Sequence, residues 1–141
     1  MKGIRPFLAF LLLLGGCSDV VTSHYETYDD AAKDQLFGRG WLPEFIPSSS
    51  FNITTRNNLD INTSEGEFSF PPIATEPFVS RLRPYSGRKS PYVKFEKELI
   101  KRKAQGYTLY ELTRDNYVWV FSLNREKGHV YYVLWPVESG S

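Results

Sequence analysis

The stretch YTLYELTRDNYVWVFSLNREKGHVYYVLW, residues 107–135, decides the fold. Three runs in it, Tyr107 to Leu112, Tyr117 to Leu123 and His129 to Trp135, are dense in aromatic and β-branched residues. Thr113 to Asn116 and Asn124 to Gly128 separate them with turn-forming residues, so the spacing predicts an antiparallel three-stranded meander. The middle run is apolar on both parities, Tyr117, Trp119 and Phe121 against Val118 and Val120, which requires a cover on each face of the sheet.

The segment just upstream provides one cover. Ser90 followed by Pro91 is a helix start, and Tyr92, Phe95, Leu99 and Ile100 form an apolar stripe up to a stop near Gly106. A helix laid across the meander makes the chain α+β, a single small domain with two to three short helices packed on an antiparallel sheet.

Further upstream the signals shorten. Thr75 to Leu82 reads as a brief helix capped by Thr75, and Arg83 to Gly87 as a loop. Phe51, Ile53 and Thr55 alternate with polar residues, and Phe68 and Phe70 do the same. The span between is rich in Asn, Asp, Ser and Gly, so two strands joined by a long hairpin loop are expected, closed by Pro71-Pro72. Thr27 with Asp30 has capping-box spacing ahead of Ala31, Ala32 and Leu36, a two-turn helix ending at Gly38. Pro43 and Pro47 exclude a continuous helix over residues 39–47, where Trp41 is expected to plug the core. Ser18 to Ser23 is polar and aperiodic, and reads as a tether.

At the front of the chain, Lys2 and Arg5 precede eight apolar residues, Phe7 to Leu14, then Gly15, Gly16 and Cys17. The apolar run is too short for a hydrocarbon core, which needs about 20 helical residues. With its basic flank and small residues it has the form of a processed leader. Met1 to Cys17 resembles the signal peptide and lipobox of bacterial lipoproteins. That resemblance implies cleavage after Gly16, acylation of Cys17, and attachment to a membrane through two or three chains. It divides the chain into a leader at 1–16, a lipidated tether at 17–23 and a domain at 24–141. Ser18 does not match the aspartate of the inner-membrane retention signal, which implies the periplasmic face of the outer membrane.

The mature chain would hold 125 residues with 15 Lys plus Arg against 16 Asp plus Glu. Near-neutral charge gives no nucleic-acid footprint. Cys17 is the only cysteine, so no intramolecular disulfide can form and packing must supply the stability.

Residues Arg39-Gly40-Trp41-Leu42-Pro43, Pro47-Ser48, Ile53, Leu59-Asp60 and Asn62 resemble a pattern of bacterial envelope proteins that includes the YbbD head domain. Members often carry a His-Asp-Leu-Asp-Thr-Asn run where this chain has Asn57-Asn58-Leu59-Asp60-Ile61-Asn62. The resemblance implies a shared fold fragment and no chemistry.

Catalytic and metal-binding residues are not expected. His24 and His129 lack metal-ligand spacing to a second donor, no nucleophile motif is present, and no cofactor is implied. Asp60 with Glu65 or Glu67 is the one carboxylate set that could converge, in the hairpin loop, as a glycan-cleaving pair would. As a protruding acidic hairpin, Asp60 to Glu67 would suit a basic cleft on a partner, so Trp41, Asp60, Glu65 and Glu67 are the candidate interaction residues. Lys94, Lys97, Lys101, Arg102 and Lys103 give the last helix a basic side, interrupted by Glu96 and Glu98, with Glu98 and Arg102 at pairing distance. The expectation is a lipid-anchored binding module for a protein partner or cell-wall component. A periplasmic inhibitor or immunity lipoprotein is the alternative, and an envelope glycan hydrolase the third.

Overall fold

The computed structural model describes residues 19–137, so the leader, Cys17 and Ser18 lie outside the described residues. Seven strands, β1 Val20–Thr27, β2 Phe51–Asn58, β3 Thr63–Ser69, β4 Arg83–Pro84, β5 Thr108–Arg114, β6 Tyr117–Asn124 and β7 His129–Pro136, form one antiparallel sheet. Their order is β1-β2-β3-β7-β6-β5-β4. Helices α1 Tyr28–Lys33, α2 Thr75–Val79 and α3 Val93–Ala104 complete an α+β domain.

The expected meander is present as β5, β6 and β7. Its first turn tightens to two residues, because Arg114 pairs with Tyr117 and both Asp115 (φ 53°) and Asn116 (φ 68°) are left-handed, as a type I′ hairpin needs. Both faces of the sheet are covered. On one, Ile53, Phe68, Phe121, Tyr132 and Leu134 pack beneath Ala31 of α1, the turn residues Leu36, Leu42 and Ile46, and Phe78 of α2. Phe78 stands edge-on to Phe121 and Phe70, with centroids 5.4 and 5.7 Å away. On the other, Val118, Val120, Tyr131, Val133 and Trp135 meet Phe95 and Leu99 of α3.

Several local expectations shift. The tether shortens, since Val20 to Ser23 pair with Asn58 to Thr55 and the sheet begins at Val20; a short segment whose apolar residues, Val20 and Val21, are adjacent and so lack a strand alternation obtains its ladder from β2. Thr27 caps α1 as expected, its hydroxyl accepting from the Asp30 amide at 3.1 Å. In α2, Thr75 is the first helical residue and Ala74 the cap. Arg83 and Pro84 form a two-residue edge strand, where proline's missing donor costs nothing. The plug beneath the sheet is Leu42, fully buried, whereas Trp41 is half-buried and offers its carbonyl to the Trp119 indole at 3.1 Å. α3 starts at Val93, and Ile100, expected on its apolar stripe, is 65% exposed.

The largest difference is the hairpin. Only residues 59–62 connect β2 to β3, with the Asn58 carboxamide accepting from the Asp60 and Ile61 amides. The Asn- and Ser-rich residues are paired strand because they satisfy one another inside. Ser64 donates to Asn57 Oδ1 at 2.6 Å, which leaves Tyr132 to donate to the Ser64 oxygen at 2.7 Å. Gly66 is there for close approach rather than for a turn, since a Cβ on it would sit 2.0 Å from the Thr54 carbonyl oxygen. Gly66→Ala is therefore expected to cost about 3 kcal/mol, at the upper end of overpacking penalties, read as a lower urea midpoint with an unchanged m-value.

Candidate functional site

Alternation along β3 places Glu65 and Glu67 on the α3 face, while Ser64 and Gly66 face the other core. Across the ladder, Arg56 stands opposite Glu65, and Tyr131 stands opposite Glu67. The result is a polar strip of two linked groups between the sheet and the flank of α3.

Glu65 is the centre of the first group. Its Oε1 accepts from the Tyr131 hydroxyl at 2.8 Å, and its Oε2 meets Lys94 Nζ at 2.6 Å and Arg56 Nε at 4.0 Å. Burial, reinforced by the hydrogen bond to the Glu65 carboxylate, pushes the Tyr131 phenol far above its ordinary range. The Arg102 guanidinium caps the same ring at 4.4 Å from its centroid, a cation–π contact, and meets Glu98 at 3.6 Å.

The second group is a relay from Tyr107 through His129 to Glu67. The Tyr107 oxygen lies 2.9 Å from His129 Nδ1, and Glu67 Oε1 lies 2.9 Å from Nε2. An ionised Glu67 only accepts, so the Nε2–H donates to it, and whenever the ring is neutral Nδ1 accepts from the Tyr107 hydroxyl. The ring is held from both sides.

Beside Glu65 a cleft of about 200 Å³ opens between the β2–β3 connection and the first turn of α3. Arg56, Glu65 and Lys94 form its charged floor, and Val20, Ile61, Tyr92 and Phe95 its apolar walls. Val20 is 42% exposed, Ile61 42% and Val93, at the start of α3, 67%. With both oxygens engaged, Glu65 acts as a fixed strut of the floor.

The expected interaction residues therefore separate. Asp60 sits at the hairpin tip, where a hydrogen bond with Asp19 and repulsion from it raise its carboxyl above the usual carboxylate range. Glu65 and Glu67 face the helix side with different partners, so the three acids do not converge in a loop. Trp41 lies with the opposite core and lines a separate cleft of about 190 Å³ with Tyr117, Trp119 and Arg114. The sequence alone did not assign Arg56, Tyr131 or the role of His129, and it placed Lys94 on the basic side of the helix rather than against Glu65. Strand register sets Arg56 opposite Glu65 and joins Tyr131 and His129 to acids 66 and 62 positions away, while Lys94 arrives from α3.

Residues 19–69, from the approach to β1 through the end of β3, match the family model of the YbbD head domain. The match contains the resemblance at residues 39–62 and extends it to both flanking strands, including Glu65 and Glu67. No curated protein and no solved structure matches the chain.

The site carries a pH signature. An unfolded tyrosine ionises near pH 10, whereas folded Tyr131 stays protonated well above it. Its stabilising contribution is complete below about pH 10 and is lost as pH rises further, by about 1.4 kcal/mol per pH unit. Tyr131→Phe should flatten that alkaline decline by about one proton, measured by urea titrations across the range from neutral to strongly alkaline pH.

Proposed function

We propose that this chain is a lipid-anchored module of the bacterial cell envelope, held in the membrane by acyl chains on Cys17, that binds a protein partner without catalysing a reaction. The observation that carries the reading is the cleft beside Glu65. Exposed aliphatic residues rim it, an ordered ion network floors it, and Val20 on its wall is three residues from Cys17. Clustered exposed apolar side chains around fixed charged groups are the anatomy of a protein interface. A cell-wall component is the other ligand class such a module would take.

Attachment follows from the leader and Cys17. One acyl chain holds only marginally, at about 0.8 kcal/mol per buried methylene, so stable anchoring takes the second or third chain a lipobox provides. The serine after the cysteine supports the periplasmic face of the outer membrane. No nucleic-acid partner is proposed.

The inhibitor reading relied on a protruding acidic hairpin, and it weakens because Glu65 and Glu67 belong to β3 rather than to a loop. The hydrolase reading loses its specific pair, since Asp60 is at the hairpin tip and Glu65 is engaged by Tyr131, Lys94 and Arg56.

Two outcomes follow. Cys17→Ala is expected to fold with an unchanged thermal midpoint, to incorporate no palmitate, and to lose stable, salt-resistant membrane attachment; a wild type that takes up no palmitate, or a variant that takes up as much as wild type, would overturn acylation at Cys17. Ile61→Asp, at an exposed rim position, should leave stability within about 0.5 kcal/mol of the parent. It should also reduce partner recovery in crosslinking pull-downs from detergent-solubilised membranes about tenfold or more, as a hot-spot loss would.

A further inference from the structure

We propose that the outward face of α3 is a second, electrostatic contact that lays the domain against a bilayer surface carrying anionic headgroups. The chain is nearly neutral overall, yet its charge is segregated. Residues 81–103 hold nine Lys or Arg against two Glu, and residues 19–80 hold three against ten Asp or Glu. The basic block ends in α3.

In sequence, Glu96 and Glu98 interrupt that basic side. In the structure both turn away from it. Glu96 folds back to accept from the Ser90 amide at 2.6 Å, and Glu98 meets Arg102, whose guanidinium lies on the Tyr131 ring against the sheet. What remains outward is Val93, Lys97, Ile100 and Ala104, at the i, i+4, i+7 and i+11 positions of one stripe, flanked by Lys101 and Lys103. Lys97, Lys101 and Lys103 are exposed and form no ion pair among the described residues, and Val93 and Ile100 are 67% and 65% exposed.

Two aliphatic side chains set among unpaired lysines suit a headgroup layer. Lysine stems lie along the apolar boundary while their ammonium groups meet lipid phosphates, and Val93 and Ile100 enter the layer between them. Position supports the same surface. The first turn of α3 and Val20 share one cleft, and Val20 is three residues from Cys17 in the chain, a reach of at most about 10 Å. The placement beside Cys17 rests on the proposed anchor; the electrostatic contact does not.

The test uses the full chain carrying Cys17→Ala, which cannot be acylated, in cosedimentation with vesicles of phosphatidylcholine alone and of mixed phosphatidylcholine and phosphatidylglycerol. The neutral vesicles read whatever the apolar run at residues 7–14 contributes. Partitioning should be stronger on the anionic vesicles and should fall with salt. Lys97→Gln with Lys101→Gln should weaken that excess about 25-fold, from about fivefold per charge near an anionic surface. Ile100→Ser should weaken it further, and Lys33→Gln with Lys127→Gln, exposed lysines on other elements, should leave it unchanged. All these positions are exposed, so matching circular dichroism and thermal midpoints are expected throughout. Equal partitioning on both vesicle types, an unchanged excess in the α3 double variant, or an equal loss in the control double variant would overturn the contact. So would binding to an acidic protein without binding to anionic vesicles. Failure of wild type to take up palmitate would remove the anchor while leaving this result in place.

Discussion

The structure depends on β7. Val130 to Trp135 are buried without a break, and the strand is hydrogen-bonded on both edges, to β3 on one side and β6 on the other. Through that pairing the early hairpin and the late meander become one sheet. Without it, β1, β2 and β3 would be a ribbon exposing Ile53 and Phe68, and the meander would lack a neighbour along its richest apolar strand. Because both faces of β7 are apolar, both must be roofed. The chain meets that requirement with two unlike covers, two short helices and irregular turns on one side and a single twelve-residue helix on the other.

Register then decides where the polar chemistry goes. With β3 aligned on β7 as observed, Glu65 and Glu67 lie on the α3 side, within reach of Tyr131, His129, Lys94 and Arg56. A slip of one residue would put both carboxylates into the opposite core against Phe121 and Tyr132 and send Ser64 and Gly66 to the helix. The core-side bonds among Asn57, Ser64 and Tyr132 resist that slip, since each buried polar atom would lose its partner. The same alignment that closes the core thus builds the charged floor of the cleft.

The two proposed contacts of the molecule occupy neighbouring surfaces. The cleft opens at the first turn of α3, and the lysine stripe runs from that turn along the outward side of the helix. A domain resting on α3 would hold the cleft near the bilayer, which restricts a partner to an approach along the membrane. Lys94 belongs to the floor and Lys97 to the stripe, so one helical turn separates the two roles.

Local signals were sufficient wherever a segment carried its own apolar period or cap. The meander, α3 across it, the Thr27 cap and the α+β class could all be read from the chain, because aromatic and β-branched density, a Ser-Pro start and a capping box act over a few residues. β1 and most of β3 could not. β3 is polar, small or charged up to Phe68, and β1 has its two valines side by side with no alternation, so they are strands because β2 and β7 supply hydrogen bonds and because Ser64, Asn57 and Tyr132 satisfy one another inside. For the same reason Asp60, Glu65 and Glu67 looked like one acidic loop and became three environments. Composition and spacing along the chain determined which segments could bury apolar surface. Only the tertiary pairing decided which polar residues met, since a hydrogen bond between residues more than 60 positions apart is a property of register, which no local window contains.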